Sequence, residues 1–361
     1  MTSRWYYGIN EQVKLAGLNN LKSTADLSSD VKAICKNNSL IAHPNLLKTL
    51  KSGRFDINSM MLDLANVKIV AQLIATSNAV KSIKFQNCKL DREMLVELAD
   101  RCCDWKAVEE LEISWMDEID SPLQLTGNSI DLAERKRQEI DQIRRARISG
   151  EALPPWTEEE DKISGVSGVF APFFSAQVNF EILKFRACHL TFWEVNRWAL
   201  IAPKLKFLDL FANPLGDEGV KALADKLTDL PVLEQLGVAE TRMTEIGALA
   251  LLKILGGSPI SNDDVTVLSN KQKDAETKAK KAKQPAEIQK EIIRNTADGY
   301  LIHRKPQFKV LYAARNNICC SEEVIKSLEW GYKGQVVLTG NPFHGNVKVP
   351  LPDDYGWRAK I

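Results

Sequence analysis

One spacing recurs along this 361-residue chain and limits its fold more than any other feature. Residues fall in the order L-x-x-L-x-L-x-x-N-x-L, where L is any apolar residue and N is Asn, Cys or Thr. The clearest copy is Leu205, Leu208, Leu210, Asn213 and Leu215. The next starts 28 residues later with Leu233, Leu236, Val238, Thr241 and Met243. Phe180, Leu183, Phe185, Cys188 and Leu190 make a third. Val80, Ile83, Phe85, Cys88 and Leu90 make a fourth, and Phe308, Leu311, Ala313, Asn316 and Ile318 a fifth. Three copies fit less well. Val108, Leu111 and Ile113 have Met116 at the Asn position, and Ile57, Met60, Leu62 and Val67 have Ala65 there. Val336, Leu338, Asn341 and Phe343 follow Lys333, which replaces the first apolar residue.

The pattern has a physical logic. In L-x-L both apolar side chains face one side of a short strand and x faces the other. An Asn at the ninth position can satisfy backbone groups where the chain turns away, and Cys and Thr can do so more weakly. Helical spacing follows. After Asn213, Asp217 is placed to cap a helix whose apolar face holds Val220, Leu223, Ala224 and Leu227. Similar helical stretches are read at 93–102, 192–201, 245–255 and 322–328.

On these residues the chain resembles the leucine-rich-repeat family, over roughly residues 57–345. The segment NPLGDEGVKALADKL after Leu210 is most similar to the ribonuclease-inhibitor-like subtype. The resemblance implies an α/β leucine-rich-repeat solenoid with parallel strands on the concave face and helices on the convex face. It is specific for fold and unspecific for function.

The copies start at 57, 80, 108, 180, 205, 233, 308 and 333, so two intervals, of 72 and 75 residues, are too long for one repeat. Two charged insertions fill them, at about 120–175 and about 256–306. The first contains IDLAERKRQEIDQIRRARI, with Arg135, Arg144 and Arg145, then an acidic run from Glu158 to Asp161, and GVSGVFAPFF leads back to the repeats. The second contains KQKDAETKAKKAKQ, with Lys278, Lys280 and Lys281. Pro285 interrupts it, and AEIQKEIIR resumes helical spacing. Residues 1–56 read as a helical N-terminal cap, with helical spacing at 31–35 and 46–50. Residues 346–361 read as a C-terminal cap or tail, since a solenoid's core is open at both ends.

Composition narrows the function classes. Lys plus Arg number 48 and Asp plus Glu 47, so no global field draws the chain to nucleic acid or an anionic membrane. Cys35, Cys88, Cys102, Cys103, Cys188, Cys319 and Cys320 include no CxxC pair and are read as reduced thiols, with no zinc site. No secretory signal and no membrane span are expected, and the location is expected to be cytoplasmic, with cytoskeletal and flagellar sites as variants. Of His43, His189, His303 and His344, only His189 stands beside a repeat position, and it is read as structural. No phosphate-loop, dinucleotide, zincin or nucleophile-elbow motif occurs. Gly165-Val166-Ser167-Gly168 reads as loop. No catalytic residue, metal site or cofactor is expected.

The outward x positions form the better candidate site. From the N-terminal copies come Met61, Asp63, Lys84, Gln86, Asn87, Glu112, Ser114 and Trp115. Lys184, Arg186, Asp209, Phe211, Gly237, Ala239, Glu240, Tyr312, Arg315 and Thr339 follow. Trp, Tyr and Arg are common anchors of protein interfaces. We therefore expect Lys84, Gln86, Glu112, Trp115, Lys184, Arg186, Asp209, Phe211, Tyr312 and Arg315 to bind partners. Arg135, Arg144, Arg145, Lys278, Lys280 and Lys281 are expected as contacts from the insertions. The expected function is a non-enzymatic protein–protein scaffold, a structural subunit of a large cytoskeletal, axonemal or ribonucleoprotein assembly. The alternative is a regulatory subunit that modulates an enzyme through its concave face. The partners are one or more proteins. Nucleic acid, reached through the basic insertions, ranks below them, and no membrane is expected.

Overall fold

The structure is a computed structural model. It describes residues 26–37, 44–50, 54–60, 62–116, 169–282, 292–296, 299–303, 307–319, 321, 324 and 335–341. Strands and helices alternate. The order is α1 (Leu27–Asn37), α2 (Pro44–Thr49), β1 (Arg54–Asn58), α3 (Leu64–Thr76), β2 (Ser82–Gln86), α4 (Arg92–Arg101), β3 (Glu110–Ser114) and β4 (Ile182–Arg186). Then come α5 (Phe192–Arg197), β5 (Phe207–Asp209), α6 (Gly216–Leu227), β6 (Gln235–Gly237) and α7 (Glu245–Leu255). After these stand β7 (Gly257–Ile260), α8 (Asn262–Ala282), β8 (Ile292–Thr296), β9 (Gly299–His303), β10 (Val310–Tyr312) and β11 (Gln335–Val337). One eight-stranded sheet runs β1-β2-β3-β4-β5-β6-β10-β11, and every pairing in it is parallel. This is a leucine-rich-repeat solenoid with helices on the opposite side of the strands.

Buried polar side chains at the ninth position tie each repeat to the one before. Asn213 Oδ1 accepts from the backbone N–H of Cys188 (2.9 Å) and Leu190 (3.1 Å), while its Nδ2 donates to the carbonyls of Phe185 (2.6 Å) and Leu210 (2.8 Å). Asn316 does the same for Thr241 N–H and the Val238 carbonyl, and Asn341 for Asn316 and Ile318 N–H and the Ala313 carbonyl. At the substituted positions the thiol of Cys88 donates to the Ile57 carbonyl and that of Cys188 to the Ile113 carbonyl. Burial pushes the Cys88 thiol up to about 11 and Cys188 well above its ordinary value, so both keep the proton they donate. Asn213, Thr241 and Asn316 are 0% exposed, so water cannot replace these bonds.

The residue before each of these positions is left-handed in all eight repeats. Ser59, Asn87, Trp115, Ala187, Ala212, Glu240 and Arg315 have φ between 50° and 57°, and Gly340 has φ 79°. Only the last is the residue type that adopts this φ without strain. Its backbone N–H is what turns toward the next repeat: Asn87 donates to the Ser114 carbonyl, Trp115 to Arg186, Ala187 to Phe211 and Arg315 to Thr339.

Several expectations require correction. The first repeat is framed five residues earlier than its sequence suggested. Phe55 and Ile57 pair with Ile83 and Phe85, so they are the L-x-L residues and Met60 takes the ninth position. Phe55 to Ile83 and Ile83 to Leu111 are then both 28 residues. Asp63 does not face outward with the strand. It caps α3 by accepting from Asn66 N–H at 2.7 Å, and Met61 lies outside the described residues. Helix α3 had no helical contrast to reveal it, because Val67, Ile69, Val70, Ala71, Leu73 and Ile74 bury it nearly all round.

Asp217 does not cap its own helix. It reaches to the next repeat and accepts from Thr244 N–H (2.7 Å), Thr244 Oγ1 (2.6 Å) and Gly247 N–H (2.9 Å), so it caps α7. The helix at 192–201 stops at Arg197. Trp198 instead turns onto Phe174, with rings stacked at 4.3 Å.

The insertions are less foreign than their charge implied. Residues 117–168, with Arg135, Arg144 and Arg145, lie outside the described residues. By 169 the chain is already core: Phe170, Phe173 and Phe174 pack around Phe185, and buried Glu194 accepts from Phe170 N–H at 2.9 Å and from Trp198 Nε1 at 3.0 Å. The second insertion is a folded unit, an antiparallel sheet β7-β9-β8 with the 21-residue α8. Residues 292–294, read as helical, are in β8. The expected caps are present in part as α1 and α2. The 322–328 stretch, Phe343 and the 346–361 tail lie outside the described residues, apart from Val324.

Asn213→Ala strips partners from two buried N–H groups and two carbonyls, and should cost on the order of 3 kcal/mol in a urea melt. Cys88→Ala, which frees weakly bonded carbonyls, should cost about 1 kcal/mol. Asp217→Ala should cost about 1 kcal/mol, with faster amide exchange in the first turn of α7 rather than α6.

Candidate functional site: the concave face of the sheet

Parallel in-register strands place corresponding residues in rows across the sheet, one strand apart, about 4.8 Å. The middle row reads Asp56, Lys84, Glu112, Lys184, Asp209, Gly237, Tyr312 and Val337. The row two residues before it reads Arg54, Ser82, Glu110, Ile182, Phe207, Gln235, Val310 and Gln335. The face therefore divides. From β1 to β4 it is charged, and from β5 onward it is largely aromatic, aliphatic and small.

The charged half is internally paired. Glu110 meets Lys184 at 2.7 Å and Lys84 at 3.4 Å, and accepts from Ser82 Oγ at 2.8 Å. Glu112 accepts from Gln86 Nε2 (2.7 Å) and Ser114 Oγ (3.1 Å), with Lys184 at 3.9 Å. Burial pushes the Glu110 carboxyl up. The hydrogen bonds from Lys184 and Ser82 and the charges of Lys184 and Lys84 more than offset this, leaving it below its ordinary value. Arg186 places Nε (2.6 Å) and Nη2 (2.5 Å) on one oxygen of Asp209, whose other oxygen accepts Phe211 N–H at 3.0 Å. A Cβ on Gly237 would stand 2.5 Å from that second oxygen, so the pair requires glycine on the neighbouring strand. Farther along, Arg315 Nη1 meets Glu240 at 3.3 Å.

The apolar half is built from ring pairs beside small residues. Trp115, 46% exposed, meets Phe211 edge-on at 6.3 Å, and Phe207 meets Tyr312 at 6.4 Å. Ala187 and Ala212 occupy the left-handed row between Trp115 and Glu240.

Thus the structure brings Lys84, Gln86, Glu112, Trp115, Lys184, Arg186, Asp209, Phe211, Tyr312 and Arg315 onto one face, with the four cations already paired. Lys278, Lys280 and Lys281 stand exposed at the end of α8, apart from that face in chain order and on the second sheet's unit. Glu110, Ile182, Phe207 and Val310 escaped the sequence reading, because the L-x-L frame counts only x positions from the second leucine onward. The residue just before that leucine shares the outward side by strand alternation, and this was the signal available. His189, half-buried with φ 56°, sits in the turn after Cys188. Among the described residues no cluster of His, Cys, Asp or Glu suits a metal ion, and no helix is long and apolar enough to cross a membrane.

No protein-family model and no curated protein matches the chain. Among solved structures it is similar to a chain of the yeast Rad7–Elc1 complex, at 13% identity and a TM-score of 0.29, covering 95% of this chain and 89% of that one. It is also similar to an internalin from Listeria monocytogenes, at 11% identity and a TM-score of 0.21, covering 96% and 97%. These likenesses are slight, and the solenoid is established by the chain's own strand order.

Glu110's depressed carboxyl gives a pH signature. A group held below its unfolded value adds stability that is present at neutral pH and lost as pH falls through its folded value. Acid titration of stability should show this loss, and Glu110→Gln should flatten it while lowering stability at pH 7.

Proposed function

We propose that the chain is a non-enzymatic protein-interaction scaffold that holds a partner on its concave face. The observation that carries this reading is the exposed aromatic surface from Trp115 to Tyr312, lying on a rigid sheet beside a paired charged half. Rings of this kind supply contact area at low entropic cost. Nucleic acid fits less well, because Lys84, Lys184, Arg186 and Arg315 each face a carboxylate of the same surface. Phosphates would have to displace those partners.

We assign the chain a structural place in a larger assembly, with the regulatory subunit of an enzyme as the second reading. Support for the first comes from the second insertion, whose folded unit presents Lys278, Lys280 and Lys281 away from the concave face. The 28-residue period with a helix in each complete repeat supports the ribonuclease-inhibitor-like subtype.

The two readings separate in one experiment. Gly257 pairs with His303, so the ends of the second unit adjoin and 257–303 can be excised. Tagged chain, the deletion, and a Phe211→Glu/Tyr312→Glu variant should be purified with their partners and compared by mass spectrometry. Under the assembly reading the deletion loses some partners and the concave variant others. A deletion with unchanged partners refutes the assembly reading, and a concave variant with unchanged partners refutes the concave interface itself.

A further inference from the structure

The two arginine pairs on the concave face differ in depth between their members. Asp209 and Glu240 lie on the floor with side chains 8% and 2% exposed, whereas Arg186 and Arg315 stand 37% and 52% exposed above them. Each pair is neutral, but the side it shows to solvent is guanidinium. Arg186 spends Nε and Nη2 on Asp209, and Arg315 spends Nη1 on Glu240, so each fork retains N–H groups pointing elsewhere.

Between the arginines lie three strand-to-strand steps, about 14 Å. The floor there is small, with Gly237, Ala239 and Ala314, and Phe207, Phe211 and Tyr312 rise around it. A bulky apolar side chain fits such a trough. Covering the trough with purely apolar surface would strip water from the guanidinium groups at its ends, which is costly unless acceptors replace it. A polyanion would bring further charge over Glu112, Asp209 and Glu240. A segment with a carboxylate at each end and an apolar centre meets both requirements.

We propose that this trough binds an acidic–apolar protein segment, with a bulky apolar side chain over Gly237, Ala239 and Ala314 and carboxylates on Arg186 and Arg315. This rests on the concave-face reading and adds the chemistry of the partner.

The test pans a phage-displayed random dodecamer library on the full chain, then measures the enriched peptides by fluorescence anisotropy. Enriched peptides should place Asp or Glu on both sides of Leu, Phe or Trp. Replacing those acids with Gln or Asn in the peptide should weaken binding about tenfold, as should Ala314→Leu, which fills the trough. The peptide substitutions need no protein variant, so they decide the matter even where Ala314→Leu fails to fold. Neutral or basic peptides, indifference to acid replacement, or no enriched peptide overturns the proposal. If such peptides are lost with Ala314→Leu and Tyr312→Ala, the concave-face reading stands without it. If they bind both folded variants unchanged, that reading fails as well.

Discussion

The buried amide at the ninth position is the constraint on which this molecule depends. Asn213, Asn316 and Asn341 each close two turns at once, their own and that of the preceding repeat, with donor and acceptor spent on backbone that water cannot reach. The left-handed residue ahead of each one turns its N–H onto the next strand. Side chain and backbone together fix the distance and register between repeats, and every pairing in the main sheet follows that register. Cys88, Cys188 and Thr241 occupy the same place with one donor each, so the ladder is unevenly strong along the chain.

Register is also what makes the concave face a surface. Because strands align residue for residue, Glu110 lies between Lys84 and Lys184 although 74 residues separate it from the latter. β10 pairs with β6 in the same frame across a 75-residue interval, so an insertion can be added between repeats without disturbing the rows. The second insertion does this by leaving and rejoining at paired positions. The first rejoins through a phenylalanine cluster fixed by one buried carboxylate, Glu194.

How much of this was legible depended on whether the signal was local. The five good copies, the helix at 245–255 and the apolar face of the helix after Asn213 could be read directly, since alternation and helical spacing are properties of adjacent residues. The first repeat was misframed because Met60 and Leu62 satisfy the same apolar pattern five residues on, and only pairing with β2 distinguishes the two frames. Asp217 was assigned to its own helix because a cap to the next repeat leaves no trace in spacing. The face was read as mixed in charge, which is true of its composition. That the cations are already paired, and that the rings gather toward one end, comes from neighbours many residues apart.

By itself the sequence determined that parallel strands alternate with helices, and which side chains face the core, because burial of a periodic apolar set leaves few other arrangements. The tertiary structure alone decided the left-handed turn in seven non-glycine residues, the division of the concave face into a paired charged half and an apolar half, and the burial of Asp209 and Glu240 beneath their arginines. Each of these arises from contact between repeats, and a one-dimensional pattern records what a residue is without recording what stands one strand away.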